Sequence, residues 1–178
     1  MKNVKILFTA IVLSSVQAFG QSATDGTSEK PAKGDFGFGI GVDYGGFGGR
    51  VNVQATPVLG IMFGGGYNLA GFGYNVGLNA RLSPDKRVVP VLLAMYGYNA
   101  VIRVTGSLDV REIYYGPSLG AGVQFKSRKN PKNFFNVELL VPVRPSEYEN
   151  DLNALKSIGV QFTEPLPVSF SLGYHIGF

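Results

Sequence analysis

From residue 34 to the C-terminus, apolar residues alternate one by one with small or polar ones. A period of two puts successive side chains on opposite faces of an extended chain, so each such run reads as a β-strand with one greasy face. The last run is the cleanest. Val168, Phe170, Leu172, Tyr174, Ile176 and Phe178 alternate with Ser169, Ser171, Gly173, His175 and Gly177. In residues 35–44, Phe36, Phe38, Ile40, Val42 and Tyr44 oppose Asp35, Gly37, Gly39, Gly41 and Asp43. Residues 49–56 set Val51, Val53 and Ala55 against Arg50, Asn52 and Gln54. In 59–67 the apolar set is Leu59, Ile61, Phe63 and Tyr67, and in 72–82 it is Phe72, Tyr74, Val76, Leu78 and Leu82. Residues 88–99 are apolar on both faces, and alternation leaves their register open. Residues 111–125 carry Ile113, Tyr115, Leu119, Ala121, Val123 and Phe125 on one side, and 134–143 carry Phe135, Val137, Leu139, Val141 and Val143.

Each of the eight segments reaches or approaches the ~9–11 residues at which a tilted strand crosses a bilayer. Turn residues separate them: Gly45-Gly46-Phe47-Gly48, Pro57, residues 68–71, and Ser83-Pro84-Asp85. Pairing Tyr44 with Gly49 sets Val42 opposite Val51 and Ile40 opposite Val53, all on one face, as a hairpin requires. Pairing Tyr67 with Phe72 likewise aligns Phe63 with Val76.

The two faces differ in a way that chooses their surroundings. The polar face within strands is mostly Gly, Asn, Ser and Gln, a poor exterior for a water-soluble barrel. The apolar face carries no charge wherever its register is legible. A charge facing lipid at the midplane costs ~2–4 kcal/mol, which gives that absence a cause. Aromatics gather at strand ends, with Tyr44, Tyr67, Phe72, Tyr98 and Tyr115 toward one rim and Phe36, Phe125, Phe135 and Phe178 toward the other, as two headgroup girdles would. The expectation is an all-β, eight-stranded antiparallel up-and-down transmembrane β-barrel over residues 34–178.

Composition agrees: 25 Gly, 13 Phe, 9 Tyr, no Trp and 16% charged residues make an unusual soluble domain. Residues 1–20 read as a cleaved signal peptide, with Lys2 and Lys5 before an apolar stretch and Ala18-Phe19-Gly20 placing cleavage before Gln21. Polar residues 21–33 form a flexible lead-in. Without Lys2 and Lys5 the chain carries 14 basic and 12 acidic residues, too mild an excess to argue for nucleic acid. There is no Cys and one His, so thiolate metal sites and thiol nucleophiles are excluded and no cofactor is expected.

The signal segment, the eight alternating segments, the glycine-rich stretch Tyr114-Tyr115-Gly116-Pro117-Ser118-Leu119-Gly120-Ala121-Gly122-Val123 and terminal Phe178 together resemble the small, eight-stranded bacterial outer-membrane β-barrel superfamily. That group includes adhesin-like barrels and the membrane domain of the major peptidoglycan-linked outer-membrane protein. The resemblance implies residence in the outer membrane of a Gram-negative bacterium, with both termini on the periplasmic side. It implies outer-membrane lipids and the barrel-assembly machinery as partners, the latter reading Phe170, Leu172, Tyr174, Ile176 and Phe178 as an assembly signal. No peptidoglycan-binding domain is expected after the barrel, and the oligomeric state stays open. The basic run Lys126, Arg128, Lys129 and Lys132 then falls in a periplasmic turn near anionic headgroups. Residues 144–166 form the longest outward loop; Ser146-Glu147-Tyr148-Glu149 predicts a capped short helix, resting on the rim or acting as a lid or receptor contact.

Some barrels of this superfamily are lipid A-modifying enzymes that need a nucleophile, a His and an acid near the outer leaflet. Here His175 lies three residues from the end, low in the barrel, with Ser169 and Ser171 higher on the same face, so a triad at the outer surface is not expected. What remains is a lumen polar network of Asp43, Arg50, Arg81, Glu112, Glu138 and His175, with Asp43 facing Arg50 across the first hairpin. Buried charges must pair, and an eight-stranded barrel is narrow enough for side chains to fill it. The lumen glycines either open a path or receive neighbouring rings. The leading expectation is a non-enzymatic structural, adhesive or surface-contact barrel with a largely closed lumen. The alternative is a narrow porin-like channel or transporter for ions or small hydrophobic solutes; a secreted soluble lipid-binding barrel comes last.

Overall fold

The computed structural model describes residues 32–104, 110–159 and 166–178. The signal-peptide reading of 1–20 and most of the 21–33 lead-in lie outside the described residues. Eight antiparallel strands close in sequence order: β1 Gly34–Gly41, β2 Gly46–Gln54, β3 Leu59–Tyr67, β4 Phe72–Arg81, β5 Val88–Val104, β6 Val110–Lys126, β7 Phe134–Pro142 and β8 Ser169–Gly177. Closure pairs Asp35 with Gly177 and Ile40 with Leu172, so the barrel has no free sheet edge.

The ladder registers put apolar side chains in continuous rows around the outside. One row runs Phe36, Val51, Phe63, Val76, Tyr96 and Pro117 from strand to strand. Another joins Leu92, Ala121, Leu139 and Phe170. Most of these side chains are exposed, Phe63 at 52%, Leu119 at 61% and Phe38 at 62% among them. Tyr67, Phe72, Tyr74 and Tyr115 crowd one rim, and Phe36, Phe125, Phe135 and Phe178 the other.

Alternation misplaced the first hairpin. It closes with Gly41 opposite Gly46, and Phe36 rather than Val42 faces Val51, a displacement of six residues. An even displacement keeps every side chain on its face, so the period-two pattern could not detect it. Val42 and Tyr44 therefore leave the wall. Val42–Tyr44 forms one 3-10 turn, buried inside the barrel. Tyr98 also leaves the expected rim. The backbone is irregular at Gly97, with φ 153°, and between Tyr98 and Ala100, and the Tyr98 ring turns toward Gly73 and the interior.

The open register of β5 resolves into Val89, Val91, Leu93 and Met95 pointing inward and Val88, Leu92 and Tyr96 outward. With Val42, Met62 and Leu140 these inward residues form an apolar core in one half of the lumen. Both faces of β5 are greasy because one meets this core and the other belongs to the outer wall.

Past the bulge, β5 and β6 continue beyond their neighbours as a projecting hairpin, since β6 pairs with β7 only from Ser118 onward. The helix predicted in the 144–166 loop is present as α1, Ser146–Ser157, but its N-cap is Pro145, with no side-chain cap bond, and Ser146 is its first helical residue. It packs on the hairpin. Tyr148 meets Tyr114 edge-on at 5.2 Å, and Leu152 and Leu155 pack against the small cluster formed by Ala100, Ile102, Tyr114 and Tyr148. The Tyr114 hydroxyl donates to Asp151 Oδ2 at 2.7 Å.

Candidate functional site

The polar half of the lumen is organised by the inward turn. Gly41 at φ 149° and Gly45 at φ 71° bend the chain off the wall and close the turn, with Gly45 N–H donating to Val42 O at 2.9 Å. Such backbone angles strain any residue with a Cβ. Asn75 Nδ2 reaches across the lumen to Val42 O at 2.5 Å and fixes the turn from the far wall. A glycine floor lies beneath it: a Cβ on Gly64 would strike Asp43 O, and one on Gly39 would meet the Tyr44 ring at 2.6 Å.

Asp43 and Tyr44 are delivered into the centre, each with no exposed surface. Arg50, 1% exposed, donates through Nη1 to Asp43 Oδ2 and to Glu138 Oε2 at 2.6 Å, and through Nη2 to Glu138 Oε1 at 3.0 Å. Glu138 takes both Nη1 and Nη2 of the guanidinium and Asp43 shares Nη1, while the buried Nε makes no hydrogen bond among the described residues. The guanidinium also lies 5.1 Å from the Tyr44 ring centre. Ser171 Oγ donates to the other oxygen of Asp43.

A second chain of contacts starts at Asp35. Arg81 Nη2 donates to Asp35 Oδ2 at 2.5 Å, and His175 Nδ1 lies 2.6 Å from Asp35 Oδ1. His175 Nε2 is 2.6 Å from the Tyr44 hydroxyl, which also reaches Asn136 Oδ1 at 2.9 Å. The hydroxyl has one proton to give, so one of these two bonds is received rather than donated. The His175 ring stacks on Phe134 at 4.7 Å and 6°.

Five of the residues singled out in the sequence, Asp43, Arg50, Arg81, Glu138 and His175, converge here. Glu112 does not. It stands opposite Ile102 on the projecting hairpin and is exposed, because β6 has not yet joined the barrel wall at that point. Asp43 meets Arg50 from the inward turn, not as a cross-strand neighbour. Sequence reasoning missed Asp35, Tyr44 and Asn136 as partners, and Asn52, whose Nδ2 donates to Asp35 Oδ1. The signal available was cross-strand size pairing: Gly37 stands opposite both Arg50 and His175, Gly122 opposite Glu138, and Gly173 opposite Asn136. The lumen glycines receive their neighbours; a Cβ on Gly122 would meet Glu138 Cγ at 2.6 Å.

Chemically the cluster is a sealed array of fixed charges. Ser171 is engaged with Asp43 and Ile40 O, and the hydrogen-bond partners of His175 among the described residues are Asp35 and Tyr44 rather than a serine. The side chains Phe170, Leu172, Tyr174, Ile176 and Phe178 line the outer face of the closing strand and its end.

No protein-family model matches the chain, and no curated protein sequence matches it. Among solved structures, the N-terminal β-barrel domain of Pseudomonas aeruginosa OprF superposes with a TM-score of 0.53 at 14% sequence identity, over 83% of this chain and 98% of that one. In fold, this chain is an eight-stranded closed barrel of the kind seen in that domain.

Proposed function

We propose that the chain is an integral outer-membrane β-barrel of a Gram-negative bacterium, non-enzymatic, with a lumen stoppered by its own Val42–Tyr44 turn. The observation that carries this reading is the outer wall: around the closed barrel, leaving out the projecting part of the β5–β6 hairpin where Arg103 pairs with Arg111, every outward ladder position among the described residues is apolar, aromatic or glycine. Water would leave such a wall uncompensated, since large exposed apolar patches mark contact with a partner or a membrane. Hydrocarbon fits it, and closure satisfies the backbone as a membrane demands. Outer-membrane lipids are then the partner of the wall, and the β8 apolar row is the element we assign to the assembly machinery. The projecting β5–β6 hairpin with α1 supplies the surface for a structural or adhesive role.

A non-conducting barrel follows from Arg50, Asp43, Glu138 and Tyr44, all buried at the centre. Planar-bilayer recording tests it. The wild type is expected to give a silent baseline, and reproducible single-channel steps would overturn the stoppered lumen in favour of a channel.

A further inference from the structure

The two ends of the barrel differ in charge. At the projecting end, Arg103, Arg111, Arg144 and Lys156 stand among Glu112, Glu147, Glu149 and Asp151, an even balance among the described residues. At the end where β1 begins and β8 finishes, Lys86 and Arg87 of the β4–β5 turn join Lys126, Arg128, Lys129 and Lys132 around the β6–β7 turn; Asp35 is buried there, and Asp85 is the one exposed carboxylate side chain among the described residues.

These residues form one arc. Lys126 N–H donates to Arg87 O at 2.9 Å, and its ammonium bonds Pro84 O, which ties the two turns together. A Cβ on Gly177 would meet Lys132 Cβ at 2.9 Å, so the β6–β7 turn abuts the end of β8. Lys33, also exposed, continues the arc, its N–H donating to Phe178 O at 2.9 Å. The arc borders the greasy wall directly. Phe125 precedes Lys126, and Phe135 follows the turn, both on the exposed outer face.

We propose that this arc is a binding surface for anionic glycerophospholipid headgroups, phosphatidylglycerol being the simplest. The proposal rests on the transmembrane reading. Cations placed just beyond an aromatic-edged apolar band sit at headgroup depth, where clustered Lys and Arg recognise anionic lipid. An acidic cell-wall polymer would also meet positive charge, but it gives no reason for the cations to follow the edge of the apolar wall.

The test uses the full chain in neutral detergent, titrated with phosphatidylglycerol or phosphatidylcholine and read by native mass spectrometry. Retention of phosphatidylglycerol is expected to exceed that of phosphatidylcholine by about fivefold in low salt and to fall toward parity in high salt. The variant K86Q/R87Q/R128Q/K129Q/K132Q should lose the preference, and R103Q/K156Q at the other end should keep it. If the five-site variant yields no folded barrel, the salt series on the wild type decides. Equal retention of the two lipids by the wild type overturns the proposal, as does a preference unmoved by salt. Binding to purified peptidoglycan without any lipid preference also overturns it and hands the surface to that polymer. Flotation with phosphatidylcholine vesicles after an alkaline wash separates the two layers: a chain that floats but shows no preference keeps the membrane reading and loses this one.

Discussion

At the residue scale, Arg50 governs the lumen. It is the cation between Asp43 and Glu138, and neither carboxylate is exposed. Removing it leaves two buried carboxylates facing each other without their shared cation. Stranding a buried ion costs about 3–5 kcal/mol, so Arg50→Ala should lower stability by that much in urea unfolding from detergent micelles. The double variant D43N/E138Q on the Arg50→Ala background should recover much of the loss, because no uncompensated charge remains. A second prediction concerns Gly37, where a Cβ would run into the His175 ring. His175 is pinned by Asp35, Tyr44 and the Phe134 stack, and it has nowhere to go. Gly37→Ala should therefore cost about 1–3 kcal/mol as overpacking, while Gly49→Ala, on the outer wall, where the Phe36 ring lies 3.3 Å from the added atom, should cost less.

At the element scale, the inward turn and the projecting hairpin are the features that distinguish this barrel from a plain eight-stranded meander. The hairpin and α1 have their own small core of Ala100, Ile102, Tyr114 and Tyr148, separate from the lumen. Tyr148→Ala should therefore loosen α1 without opening the barrel. Limited proteolysis is expected to cut faster within residues 144–157, with the heat-induced gel shift of the folded barrel unchanged. A loss of that shift would mean that the two cores are coupled. Most of this architecture was legible because the outward rows obey a period of two from Phe36 to Phe178. The third hairpin fell into place with Tyr67 opposite Phe72, since the Asn68–Gly71 turn leaves little choice of register. The first hairpin did not, since Val42 and Tyr44 continue the alternation beyond the point where the strand stops. In Gly45-Gly46-Phe47-Gly48 nothing marks which glycine turns. Glu112 failed for a related reason. Strand periodicity assigns a face, but it carries no information on whether a strand is still part of the wall.

At the scale of the whole molecule, a sealed cylinder has its bulky apolar side chains on both sides of its wall. Inside, Met62, Leu93, Met95 and Leu140 pack one half of the lumen, and the ion network fills the other. Outside, most of the apolar rows are exposed among the described residues. Lysine at Val76, Leu119 or Leu139 should cost ~2–4 kcal/mol each if these positions sit near the bilayer midplane, and lower the yield of folded barrel in vesicles. The central claim is that hydrocarbon wets this wall, and the absence of Trp from the sequence permits a direct measurement of it. A single Trp placed at Val76 or Leu139 in phosphatidylcholine vesicles, with bromines at successive depths along the acyl chains, reports what touches the wall. Strong quenching by mid-chain bromines is the predicted result. Fluorescence untouched by bromine at every depth, but quenched by aqueous iodide, would place that wall in water and contradict the account.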